Sequence, residues 1–304
     1  MGQRWRISNQ VNLFNESQFL KERNQSGIAH TFGMDFYPRE GWNLGFTLQE
    51  GELQTVGSEG SDTVDRRAIS INAGHTDATS QWNSKLEYRH DSGAEERTQW
   101  VSTNRVMIKL NPDWRFAGRL NLSDTDDRYD PLGDAKFVES NIGFSYRPVK
   151  NDRLSLLGKM TYLYDLSSLG QDSLTEYDQR SLIFSLEGIY RLDHNWEMAG
   201  KIAHRKGEAR IARDSGPWFN STADFASIQG RYETVYKWDA LVEYRYLKVD
   251  QNDSDRHGWL VGVDRHVNEN FRVGLGYNFT SFSDNLADLD YDHKGWFLNL
   301  TGTY

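Results

Sequence analysis

Charged residues in this chain recur at alternate positions. Lys85, Glu87 and Arg89 do so, as do Arg231 with Glu233 and Glu243 with Arg245, while Arg115 and Arg119 are four residues apart. In an extended segment, residues two or four apart share a face, so each set presents its charges to one side. The bases placed in this way are Lys85, Arg89, Arg105, Lys109, Arg115, Arg119, Arg147, Lys159, Lys201, Arg205, Arg231, Arg245 and Arg272. The acids are Asp35, Glu87, Glu139, Glu187, Glu197, Glu233, Glu243 and Asp264. Such a wall can line a wet passage, where its local basic excess favours anions or anionic polymers. It can equally be a network in which Arg and Glu satisfy one another. Arg231 with Glu233 and Glu243 with Arg245 are expected to form a cross-strand cluster around their shared turn.

Other chemistry is sparse. Asp124, Asp126, Asp127 and Asp130 cluster in one polar stretch, and Asp288, Asp290 and Asp292 in another. Carboxylates at that density can hold calcium, but neither run has the Gly and terminal Glu of an EF-hand, so no metal site is assigned. His75, His90, His194, His204 and His257 are scattered without a Ser-His-acid or His-x-x-x-His arrangement. With no Cys, no nucleotide loop and no catalytic constellation, the sequence assigns no enzyme activity and no cofactor. A net charge of -9 argues against nucleic acid as a partner.

The elements that hold these charges are read from the intervening residues. The 304 residues include 10 Trp, 15 Tyr and 15 Phe, yet mean hydropathy is strongly negative. So many aromatics argue against disorder. No segment approaches the roughly 20 consecutive apolar residues of a membrane-spanning helix. Apolar residues instead alternate with polar ones, as in Trp42, Leu44, Phe46 and Leu48, or Phe271, Val273, Leu275 and Tyr277. A barrel with a polar interior reconciles these facts, because only every second strand residue must face hydrocarbon.

The first strand is expected over about residues 3 to 14, with Trp5, Ile7, Val11 and Leu13 on one face, followed by a polar connector from Asn15 to Gln25. Short turns such as Pro38–Gly41 and Asn111–Asp113 then alternate with long polar connectors, among them EGELQTVGSEGSDTVD and SDTDDRYDPLGD. Counting gives about 16 strands, with room for another short hairpin near residues 206–222. That connector carries Arg210, Arg213 and Trp218, and either folds inward as a constriction or protrudes. Trp42, Trp82, Trp114, Leu154, Trp196, Trp238 and Phe271 each follow a short turn, at intervals of 32 to 42 residues. At one membrane level, the aromatic members Trp42, Trp82, Trp114, Trp196, Trp238 and Phe271 would form a belt at the headgroup boundary.

The chain ends on WFLNLTGTY, where Trp296, Leu298, Leu300, Gly302 and Tyr304 share a face. This segment resembles the closing strand of bacterial outer-membrane β-barrels, and the whole chain resembles the 16-stranded barrels of porins and export channels. Its segment from Gly276 to Tyr304 is also similar to barrel domains at the ends of large bacterial surface proteins. The resemblance implies an all-β, transmembrane, antiparallel up-and-down barrel over residues 1–304 in the bacterial outer membrane, with short periplasmic and long external connections. It implies Trp296, Leu298, Leu300 and Tyr304 as a signal to the barrel assembly machinery. The implied surroundings are outer-membrane lipid and lipopolysaccharide. Three roles stay open: a channel for small polar or anionic solutes, an anchor or export domain of a longer precursor with an N-terminal or separate periplasmic or surface domain, and a barrel enzyme.

Overall fold

The computed structural model of the chain describes residues 1–21, 25–57, 60–129, 134–166, 177–211, 216–234, 237–250, 254–267, 271–282, 286 and 294–302. Its regular structure is one sheet of eighteen strands. These are β1 (Gly2–Arg6), β2 (Val11–Lys21), β3 (Gln25–Phe36), β4 (Trp42–Gly57), β5 (Gly60–Thr76) and β6 (Ser80–Gly93). They continue with β7 (Arg97–Lys109), β8 (Trp114–Asp127), β9 (Ala135–Tyr146), β10 (Leu154–Leu166), β11 (Tyr177–Arg191) and β12 (Trp196–Ile211). The last six are β13 (Phe219–Asn220), β14 (Ala223–Thr234), β15 (Trp238–Val249), β16 (Ser254–His266), β17 (Phe271–Asn278) and β18 (Gly295–Gly302). Successive strands pair antiparallel along the whole chain, with one local variation. The two-residue β13 lies beside Glu208–Ala209 and continues the edge of β12 that β14 occupies from Trp196 to Arg205.

The two faces of this sheet are inverted relative to a soluble protein. Ile71 is 55% exposed while Ser70, its neighbour in the chain, is 3% exposed. Leu44, Leu48, Ile69, Leu86, Phe184, Leu186, Ile202, Ile228, Val263 and Leu275 are likewise exposed, whereas Asp91, Ser181, Arg205 and Asp239 are buried. Cross-strand partners extend the apolar face around the meander: Leu48 lies opposite Ile69, Ile71 opposite Leu86, Leu186 opposite Ile202, and Val263 opposite Leu275. An exposed apolar band of this extent requires a nonaqueous solvent. With successive ladders paired antiparallel from β1 to β18 and the polar face turned inward, the fold is a transmembrane antiparallel up-and-down β-barrel.

At one end of the barrel, short turns are closed by side-chain acceptors. Asn111 Oδ1 accepts from the backbone N–H of Asp113 and Trp114 at 2.9 Å, and Asp193 Oδ1 accepts from those of Asn195 and Trp196 at 2.8 Å. Asp77 Oδ1 accepts from the backbone of Thr79 and Ser80 at 2.7 Å. In each turn a short acceptor replaces the missing ladder bonds, and a Trp or Ser then starts the next strand. Gly41 has φ +77°, and a Cβ there would lie 2.4 Å from the Thr76 carbonyl oxygen, so this turn requires glycine.

Two sequence expectations are corrected. The first expected strand is a hairpin: Ser8 Oγ accepts from the backbone of Gln10 and Val11 at 3.1 Å, reversing the chain between β1 and β2. Trp5 and Leu13 therefore share a face as cross-strand partners, not as members of one strand. Several expected long connectors are also paired. The β2–β3 hairpin continues to Lys21 and Ser26, β4–β5 to Gly57 and Gly60, and β8 runs through Asp127. Once a strand leaves the bilayer both faces can be polar, so its composition resembles a loop although its backbone remains paired.

Candidate functional site: the charged inner wall and its mouth

The inward positions form an almost continuous polar surface. Glu87 receives Lys85 Nζ and Arg89 Nη2, each at 2.7 Å, from its own strand. Arg89 also donates to Gln99 at 3.2 Å, and Gln99 donates to Thr125 at 2.9 Å. Farther round, Asn121 and Asn141 donate to the two oxygens of Glu139 at 2.9 and 2.7 Å, and Thr161 donates to Asn141 at 2.7 Å. Arg245 donates to Glu243 at 2.7 Å, with both side chains largely shielded from solvent. The expected Arg231–Glu233 association is corrected: Arg231 approaches Glu197 at 3.8 Å, because these two residues are opposite one another across β12 and β14.

Near the turn end of β15, the inward Asp239 is 5% exposed on its side chain and accepts from His266 at 3.0 Å and Arg272 at 3.3 Å. It ties three successive strands together. Arg272 belongs to the sequence-derived set, but Asp239 and His266 do not. Parity alone identifies Asp239 as inward, because the preceding Trp238 faces outward.

Other bases have more open surroundings. Arg105 lies directly opposite Arg119, and Lys109 lies directly opposite Arg115. These four are exposed, as is Lys159 on β10. Lys201 points its ammonium over the Phe225 ring at 5.7 Å, and Arg205 is buried.

The connector expected to carry Arg210, Arg213 and Trp218 divides differently. Arg210 belongs to β12, donates to Asp178 at 2.9 and 2.5 Å, and stacks on Trp218 at 4.9 Å. Arg180 stacks on that ring at 4.5 Å. Asp178, Arg180 and Arg210 continue the alternation of the outward Phe184 and His204 beyond the apolar band. Arg213 lies outside the described residues.

A different connector reaches the inner wall. After β17, Thr280 is 1% exposed and donates through its backbone N–H and hydroxyl to Asn278 Oδ1 at 3.0 and 2.5 Å. It lies against Gly258 on the inward face of β16, where an added Cβ would approach Thr280 Cγ2 to 2.6 Å. Phe282 and Leu286 then join a buried cluster with the inward residues Ile183, Ala203, Ala223, Phe225 and Leu247. The Phe225 and Phe282 rings meet edge to face at 6.5 Å. These inward apolar residues interrupt the polar wall near the end remote from the short turns. In the sequence this connector is marked only as the link before the closing strand.

The outward aromatic residues form two levels. At the turn end Trp42 packs on His75, Trp114 on Tyr146, and Trp196 on Tyr232, with centroids 4.6 to 4.7 Å apart. Trp238 carries Arg265 over its ring at 5.3 Å, and Trp82 and Phe271 are exposed on the same outward face. A second level, absent from the sequence-derived belt, comprises Tyr88 with Trp100, Tyr244 with Trp259, and Tyr277 with Trp296 of the expected assembly signal. Six residues separate Trp82 from Tyr88 and Trp238 from Tyr244, a rise of about 20 Å along each strand. Leu298 and Leu300 continue the outward face of β18, while Tyr304 lies outside the described residues.

Asp124 approaches Lys136 at 3.6 Å, and Asp127 accepts from the backbone of Tyr129 at 3.1 Å. Asp130, Asp288, Asp290 and Asp292 lie outside the described residues. Among the described residues, no group of three or more His, Asp or Glu is gathered for a metal ion.

No family model matches the chain, and no curated protein matches it. Several solved structures align with it at low identity. One described as a copper transporter, OprC, gives a TM-score of 0.48 at 8% identity, covering 98% of this chain and 62% of that one. The ferric yersiniabactin uptake receptor FyuA of Yersinia pestis gives 0.48 at 13% identity, covering 91% and 57%. A bacterial polysaccharide outer membrane secretin gives 0.44 at 9% identity, covering 97% and 98%. The chain spans about three fifths of the length of the first two. The barrel assignment itself rests on the strand meander and its inverted faces.

Proposed function

We propose that this barrel resides in the bacterial outer membrane and passes small polar or anionic solutes along its charged inner wall. The observation that carries the reading is the open side of that wall: Arg105, Lys109, Arg115, Arg119 and Lys159 face inward and remain exposed. Bases left accessible inside an apolar-jacketed barrel raise the local concentration of anions and lower their entry barrier. The two aromatic levels suit headgroup contacts with outer-membrane lipid and lipopolysaccharide. The outward Trp296, Leu298 and Leu300 on β18 suit presentation to the barrel assembly machinery. Reconstitution of the folded chain in planar bilayers is expected to give ion conductance with anion preference. Correct insertion without conductance would overturn the channel reading.

One observation favours a second reading. The cluster formed by Phe282 and Leu286 on the inner wall suits a narrowed or filled mouth, as in an anchor or export domain of a longer surface protein. That reading predicts conductance only after the segment is displaced, as argued below for Gly258.

A further inference from the structure

We infer that the inner wall between β7 and β10 holds a binding site for a multivalent oxyanion, in which Arg105, Arg119 and Lys159 surround a hollow above Ala117 and Gly143. This deepens the channel reading and rests on its assignment of the inner face. The register determines the site's composition. One inward row runs Asn83, Arg105, Arg119, Asn141, and the adjoining row runs Met107, Ala117, Gly143, Lys159. Ala117 and Gly143 supply no bulk between Met107 and Lys159, so the wall recedes there. The recess has a volume of about 540 Å³, and Arg105, Arg119, Lys159, Asn83 and Asn121 line it.

Its charge is unbalanced. Arg105 and Arg119 are direct cross-strand partners, an arrangement that is unfavourable unless something neutralises it. Glu139 is the one acid within ion-pairing distance of any of the three bases among the described residues, at 4.0 Å from Arg119, and Glu187, diagonal to Lys159, lies directly opposite Lys201. Its oxygens already accept from Asn121 and Asn141. Arg105 and Lys159 have no acid within ion-pairing distance among the described residues. Three bases against one engaged carboxylate leave an excess of two positive charges around a cavity edged by amide donors. Guanidinium forks and amide N–H groups match oxygens carried on phosphorus or sulfur, so the preferred ligand is a phosphate- or sulfate-bearing solute rather than a halide.

The same register rows continue into the inner apolar cluster. Asn141 is followed by Thr161, Ile183, Arg205 and Ala223, and Lys159 by Ser185, Ala203 and Phe225. The part of the wall covered by Phe282 and Leu286 therefore adjoins the basic recess. A solute excluded from the apolar side is directed toward Arg105 and Lys159.

The test titrates the folded protein in detergent micelles at low salt with inorganic pyrophosphate, using calorimetry. Wild type is expected to bind, with affinity falling as chloride rises. Arg105→Gln and Lys159→Gln are each expected to weaken binding about tenfold, corresponding to ~1.4 kcal/mol. Ala117→Leu fills the hollow without changing charge and should weaken it similarly. Lys150→Gln, which removes an exposed turn base outside the inner wall, should leave affinity unchanged, and retained heat-modifiable gel mobility reports folding for every variant. No pyrophosphate binding by wild type, or wild-type affinity retained in both Arg105→Gln and Lys159→Gln, overturns the site. Bilayer conductance is read separately: conductance without pyrophosphate binding sinks the site alone, and binding without conductance sinks the channel reading alone.

Discussion

At the residue scale, single side chains close turns and join strands, and their losses should differ in kind. Asp77 lies outside the membrane-spanning segments, where the backbone N–H of Thr79, then the hydroxyl and N–H of Ser80, hold its carboxyl well below the usual carboxylate range. A depressed carboxylate contributes stability that is present above its unfolded pKa of about 3.9 and lost as pH falls through the folded value. The barrel should therefore keep this contribution from neutral pH down to about pH 4 and lose it below that. Asp77→Asn, whose carbonyl oxygen can accept the same N–H groups, should remove this acid dependence while preserving the turn. Asp77→Ala should destabilise at pH 7. Urea midpoints at pH 7 and pH 3 check both outcomes. Asp91 is a different case: Arg66 donates to its two oxygens at 2.7 Å each, and its side chain is 3% exposed. Asp91→Ala leaves Arg66 unpaired and should cost about 3 kcal/mol in urea unfolding. The alternation made most inward charges legible, but it did not identify their partners. Arg231 pairs with Glu197 because of cross-strand register, which the spacing Arg231-x-Glu233 does not contain.

At the scale of elements, Gly258 and the segment beginning at Asn278 form a testable lock. Gly258→Leu would force side-chain atoms into Thr280, which is fixed by two hydrogen bonds to Asn278. The segment should lift from the wall, so single-channel conductance should increase and added protease should cut between residues 279 and 294 more readily. Unchanged conductance and cleavage would show that this contact does not narrow the path. The strands themselves were readable from apolar period two, whereas their ends were not. β4 continues to Gly57 and β12 to Ile211 through polar residues, since strands beyond the bilayer need no apolar face. The N-terminal hairpin was obscured for another reason. Trp5, Ile7, Val11 and Leu13 preserve the alternation across a turn, so only the Ser8 hydrogen bonds distinguish a reversal from a continuous strand.

At the scale of the whole molecule, adjacent residues answer to different solvents. Ile228 is 53% exposed on the apolar band, while Gln229 faces inward between Ala199 and Glu243. Ile228→Arg should cost about 3 kcal/mol in lipid-reconstituted unfolding, whereas Gln229→Arg should be nearly neutral beside Glu243. Equal effects would contradict the assigned orientation. The lower aromatic belt was legible because its Trp residues follow turns at hairpin intervals. The upper level required knowing which strands pair, because Tyr88 and Trp100, or Tyr244 and Trp259, meet only across a ladder.

The apolar cluster on the inner wall also implies an order of events. Ile183, Ala203, Phe225 and Leu247 lie on β11 to β15, but Phe282 and Leu286 arrive with the β17–β18 hairpin. A growing sheet that lacks this hairpin leaves the four wall residues facing water, with no lipid to shelter them. Docking of Phe282 and Leu286 therefore requires the wall on β11 to β15 to be in place, and a barrel that lacks this docking carries an internal apolar flaw.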